Sequence, residues 1–123
     1  MEAQESLIPA RMRRLCRIDD IADPGAKGFP PAPGGFTGLF AVRHGQSVRV
    51  YLNACPHIGI SLDWMPDRFL SADLQFIVCS THGAEFRLDD GFCIRGPCQG
   101  DRLELVPSQT ENGELLVPED AGL

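Results

Sequence analysis

"LQFIVCSTHGAEFRL", residues 74–88, reads as two short strands joined by a chemically loaded turn. Phe76, Ile77 and Val78 form an apolar run of buried-strand length, and "AEFRL" resumes a strand pattern after the turn. Between them stand Cys79 and His82, three positions apart in a chain with only three histidines. Gly83 follows and lets the backbone fold tightly behind the pair. Neither Cys79 nor His82 is explained by core packing or by ordinary surface.

The same rhythm of short strands and turn signals continues outward. "FTGLFAVR" and "SVRVYLN" flank "HGQ" at 44–46, the pattern of a hairpin. "AEFRL" and "FCIRG" flank "DDG", a second hairpin with Gly91 where positive φ is tolerated. "RLELVP" and "GELLVP" flank "SQTEN", with Asn112-Gly113 marking the return turn. "LCRIDDI", residues 15–21, suits an edge strand, whereas "ADPGAKGFPPAPGG", residues 22–35, has four prolines and no apolar period and reads as a loop. Residues 1–14, ending in "RMRR", read as a flexible N-terminal tail, 15–118 as one domain and 119–123 as a C-terminal tail. Strands of this length and spacing predict an all-β antiparallel sandwich or small barrel.

With 123 residues, 43% apolar and 23% charged, the chain has the composition of one globular domain. No apolar stretch is long enough to cross a bilayer, and the acidic, polar start does not read as a secretory signal. The expected location is the cytoplasm, where thiols stay reduced. Five cysteines, at 16, 55, 79, 93 and 98, then point to metal ligation before disulfides. A formal net charge of −6 argues against nucleic acid as a partner.

A second cysteine–histidine pair lies in "NACPHIGISLDW". Cys55 and His57 give C-x-H, 21 residues intervene, and Cys79 and His82 give C-x-x-H. Each pair follows directly on an expected strand, and each precedes a glycine, Gly59 or Gly83. Two thiolates and two imidazoles on two loop tips form a metal site by ligand type and placement. A tetrahedral zinc would accept this set. Each loop, however, offers one soft and one borderline ligand, which suits a binuclear centre with sulfur at one metal and nitrogen at the other.

"CPHIG" and "CSTHGAEF" together resemble the Rieske 2Fe–2S domain, in particular its small ferredoxin-like, non-respiratory members. The resemblance runs from about Leu15 to Val117. It implies a Rieske-type β-sandwich or barrel with a small two-loop subdomain holding one 2Fe–2S cluster. It also implies that Cys55 and Cys79 ligate the inner iron, and His57 and His82 the outer one. High-potential respiratory members brace their loops with a disulfide; Ile60 and Thr81 stand where those cysteines would be. Ala84 and Phe86 replace a Ser and a Tyr whose hydroxyls point at the cluster, and Pro97 resembles the proline loop that lies against it. Ile58 and Pro56 join Pro97 as an expected apolar surround, with both histidines at one exposed tip. Fewer donors to sulfur destabilise the reduced cluster, so the expected potential lies low in the Rieske range of about −150 to +300 mV.

The function implied is electron transfer, one electron passing between a reductase and an oxygenase or other terminal redox enzyme. The alternatives are a small Rieske subunit of a larger oxidoreductase, similar to the nitrite-reductase small subunit, and a structural zinc module. An oxygenase active site needs two more histidines and a carboxylate, and only His44, in a turn, remains. No G-x-G-x-x-G segment provides for a nicotinamide or flavin. Cys93 and Cys98 read as small buried thiols, with a disulfide as the other possibility; Cys16 reads as a strand residue. Trp64 reads as a core-edge aromatic or a cover over the cluster.

Overall fold

The computed structural model describes residues 12–31, 37–56, 62, 68–79 and 83–121. Ten strands run through these residues: β1 Met12–Arg17, β2 Gly25–Phe29, β3 Leu39–His44, β4 Ser47–Leu52, β5 Phe76–Val78, β6 Glu85–Arg87, β7 Cys93–Arg95, β8 Leu105–Val106, β9 Gln109–Glu111 and β10 Glu114–Pro118. All named pairings are antiparallel. The only described helix is one 3₁₀ turn, Ile18–Asp20, and among the described residues no helix is long and apolar enough to cross a membrane. The all-β expectation holds.

Three sheets are formed, ordered β1-β10-β9, β2-β3-β4-β8 and β5-β6-β7. The second sheet lies at the centre, and its side-chain alternation explains why. On β3, Phe40 and Val42 enter one core with Phe69, Ile77 and Phe86, while Leu39 and Ala41 enter another with Leu115 and Val117. On β4, Tyr51 joins the first core and its neighbour Val50 the second. A strand whose successive residues point to opposite faces becomes apolar throughout when both faces are covered. That is why "LFAV" carries no polar alternation. Phe40 and Phe69 stack with ring centroids 4.4 Å apart and planes 6° from parallel, joining the central sheet to the segment before β5.

The β3–β4 hairpin is as expected, with His44 paired to Ser47 across Gly45-Gln46. So is β6–β7, where Gly91 has φ +72°. The last hairpin differs. β10 pairs with β9, inside the supposed "SQTEN" loop, whereas β8 crosses to β4 in the central sheet. Pro107 lacks the N–H that would prolong β8, and the chain changes sheets there. Asn112 (φ +54°) and Gly113 (φ +80°) make the two-residue turn between β9 and β10, the left-handed pair such hairpins require.

Three further expectations are corrected. Residues 25–29, read as loop, form β2, whose residues pair one for one with β3 from Gly25↔Arg43 to Phe29↔Leu39. It is an edge strand held by backbone hydrogen bonds, so it needs no apolar period. Residues 12–14, assigned to the N-terminal tail, belong to β1, where Met12, Arg13 and Arg14 pair with Pro118, Val117 and Leu116. At the other end, residues 119–121 are held rather than loose: Ala121 is buried, its N–H donates to the Pro118 carbonyl at 3.0 Å, and Arg13 Nη2 donates to its carbonyl at 3.2 Å.

Candidate metal centre

The first loop leaves the central sheet at the end of β4. The Leu52 N–H donates to the Glu104 carbonyl and the Asn53 N–H to the Gly38 carbonyl, each at 2.9 Å, so the strand end is fixed from both sides. Asn53 Oδ1 accepts the N–H of Leu62 at 2.8 Å, tying the far end of the loop back to its origin. Cys55, between these anchors, is buried.

The second loop leaves the third sheet at the end of β5. The Cys79 N–H donates to the Ala84 carbonyl at 2.9 Å, and the Gly83 N–H donates to the Cys79 carbonyl at 2.8 Å. Two backbone bonds therefore hold Cys79 against Gly83 and Ala84, and Cys79 is fully buried. Both cysteines follow strands, as expected, but the strands belong to different sheets. They nevertheless enter one core, together with Ala84, Phe86, Cys93 and Cys98.

A third segment closes against the second. Gly96 has φ +101°, and a Cβ there would lie 2.7 Å from the Cα of Ala84. Gly96-Pro97-Cys98 thus presses on the backbone of the Cys79 loop, which only a residue without a side chain allows. Pro97 itself is exposed. Behind it, Cys98 Sγ lies 3.2 Å from Cys93 Sγ, and Cys93 Sγ donates to the Arg95 carbonyl at 3.1 Å. Burial, reinforced by Cys93 and Cys55, pushes the Cys98 thiol well up from its ordinary value, so it carries its proton at neutral pH. None of the five cysteines is in a disulfide and all are buried; Cys16 belongs to the other core.

His57, Ile58, Gly59, Ile60, Trp64, Thr81 and His82 lie outside the described residues. Gly83, Ala84 and Phe86 are described, and the last two are buried and apolar. His44, the last residue of β3, is exposed. Cys93 and Cys98 are buried thiols, as read from the sequence, and they meet without a disulfide. The spacing C-x₄-C around a Gly-Pro turn brings the two sulfurs to the same side.

Two buried, unoxidised thiols fit an iron–sulfur cluster, whose irons take soft sulfur donors in surroundings of low polarity. The model of the Rieske [2Fe-2S] domain matches residues 15–110. The chain belongs to the Rieske family. Its cofactor is accordingly a 2Fe–2S cluster, and the zinc reading is set aside. No curated protein sequence matches this Rieske domain. Among solved structures it is similar to a chain of the complex of reduced oxygenase and oxidized ferredoxin in carbazole 1,9a-dioxygenase, with TM-score 0.70 and 21% identity over 89% of this chain and 94% of that one. It is also similar to the ferredoxin of carbazole 1,9a-dioxygenase from Nocardioides aromaticivorans IC177, with TM-score 0.68 and 21% identity over 89% and 98%. The terminal oxygenase from Novosphingobium sp. KA1 shares the fold at TM-score 0.70 and 19% identity, but there the Rieske domain matches only 29% of the other chain.

Proposed function

We propose that this Rieske domain is a ferredoxin-type electron carrier that passes one electron from a reductase to an oxygenase or other terminal redox enzyme. Cys55 and Cys79 hold the inner iron of the cluster, and His57 and His82 the outer one. The observation that carries this reading is the convergence of two buried cysteines, each launched from the end of a strand, in one core. The near end-to-end likeness to the carbazole 1,9a-dioxygenase ferredoxin supports a carrier over an oxygenase.

When bound, the cluster supplies a reversible one-electron couple. The protein supplies its surroundings. The backbone bonds of Cys79 to Ala84 and Gly83 fix one thiolate, and the Asn53–Leu62 bond lies across the segment that holds the other. Rigid donors keep the rearrangement that accompanies electron transfer small. Ala84 and Phe86 exclude water without offering a hydroxyl. The chain's negative charge favours encounter with a basic surface on a redox partner. We place the protein in the cytoplasm, and five cysteines without a disulfide accord with a reducing compartment.

Iron and acid-labile sulfide analysis of anaerobically purified protein tests the reading, with the paramagnetic spectrum of the reduced form. Equal iron and sulfide, a rhombic signal, and loss of both in Cys79→Ala are the expected results. A protein containing zinc without sulfide refutes it.

A further inference from the structure

Asn53 stands two residues before Cys55, where the chain leaves β4. Its backbone is held on several sides. The Leu52 N–H donates to the Glu104 carbonyl, the Asn53 N–H to the Gly38 carbonyl and the Ala54 N–H to the Leu52 carbonyl, each at 2.9 Å. Gly38 is itself pressed on β2, where a Cβ would collide with the Phe29 carbonyl. Asn53 therefore leaves a rigid corner of the central sheet.

Its side chain meets a donor that needs it. Leu62 is fully buried and shares one core with Cys55, Phe40 and Phe69. A buried N–H without an acceptor forfeits its hydration and gains nothing in return. Asn53 Oδ1 accepts that N–H at 2.8 Å. The bond thus joins the two residues that bracket 54–61, the segment carrying Cys55. The Gly38 carbonyl secures one end, the burial of the Leu62 side chain secures the other, and the Asn53 amide links them.

We propose that Asn53 is a positioning residue of the metal centre: by accepting the Leu62 N–H, its amide oxygen sets where the Cys55 sulfur stands and so how firmly the cluster is held. The proposal rests on the assignment of Cys55 as an iron ligand. Two residues of chain span at most about 7 Å, so a shift at Asn53 is passed to Cys55 with little chain to absorb it. Groups that orient a metal ligand without touching the metal typically change metal affinity by roughly 10–100-fold.

The test compares loaded wild type, Asn53→Ala, Asn53→Asp and Asn112→Ala under anaerobic conditions. Iron transfer to a chelator and the paramagnetic spectrum of the reduced form are read for each. Asn53→Ala should lose iron about tenfold faster and show shifted g-values, a change that a general loss of stability does not produce. Asn53→Asp keeps an oxygen acceptor of the same reach and should restore both the release rate and the g-values. Asn112→Ala, which weakens the β9–β10 turn, should release iron at the wild-type rate. Wild-type release from Asn53→Ala, release from Asn53→Asp as fast as from Asn53→Ala, or equal acceleration in Asn112→Ala overturns the proposal. Should Asn53→Ala assemble no cluster, Asn53→Asp decides: an intact cluster there supports the acceptor role, and none overturns it. Failure of the ligand assignment is separately visible, because Cys55→Ala would then retain its cluster whatever Asn53 does.

Discussion

Replacing Gly96 with alanine tests whether the 93–101 loop braces the second cluster loop. An added Cβ would meet Ala84 Cα at 2.7 Å, Ala84 Cβ at 3.0 Å and Ala84 N at 3.2 Å. None of these atoms belongs to a flexible side chain, so the backbone itself must yield. Overpacking of this kind costs about 1–3 kcal/mol. Holding an alanine at φ +101° adds about 1–2 kcal/mol, for a total near 2–5 kcal/mol. Gly100 provides the control. Its φ of +97° is nearly the same, but a Cβ there meets nothing within 4 Å, so Gly100→Ala should show the conformational part alone. Anaerobic urea denaturation, followed by the visible absorbance of the cluster, measures both, together with the rate of cluster loss to a chelator. Gly96→Ala should unfold at lower urea than Gly100→Ala and should release iron faster. Equal losses in the two variants would refute the idea that Gly96 and Ala84 lock the loops together.

Two other outcomes follow from the same packing. Tyr51 is the only tyrosine, is fully buried, and donates to the Leu88 carbonyl at 2.8 Å; burial pushes its hydroxyl up to about 12. Because the folded state disfavours its ionisation, the benefit is complete below pH 10 and is lost as pH rises from 10 to 12, amounting to roughly 2–3 kcal/mol. Alkaline titration at the tyrosinate band should show this late ionisation coinciding with unfolding, and Tyr51→Phe should lose about 1 kcal/mol at neutral pH yet lack that component of alkaline instability. Asn112→Ala, at φ +54° in the β9–β10 turn, should cost about 1–2 kcal/mol in denaturant unfolding and leave the cluster potential unchanged, since the turn serves the core that lacks Cys55 and Cys79.

The sequence was most legible where side chains carry the information. The motifs "CPHIG" and "CSTHGAEF" led to the Rieske family, and apolar runs announced β3, β4 and β5. It was least legible where backbone pairing decides. β2, "GAKGF", has no apolar stripe because it is an edge strand whose partner supplies the hydrogen bonds. β9, "QTE", is polar for the same reason, and its existence depends on β10 choosing it over β8. Arg13 and Arg14 looked like a solvated end because charge hides a strand, although Arg14 pairs with Glu114 at 2.9 Å. For Cys93 and Cys98 the sequence left a disulfide and two separate thiols both open, because a turn must be built before the distance between two side chains five positions apart is known.

Val50 and Tyr51 adjoin along the chain yet sit in separate interiors, and this partition outlives any single hairpin. One interior holds Cys55 and Cys79; the other, lined by Leu39, Ala41, Leu115 and Val117, holds neither. Stripping the iron therefore unsettles a single storey of the building. The remaining storey stays as a scaffold on which delivery machinery can rebuild the centre without the polypeptide starting again from a coil.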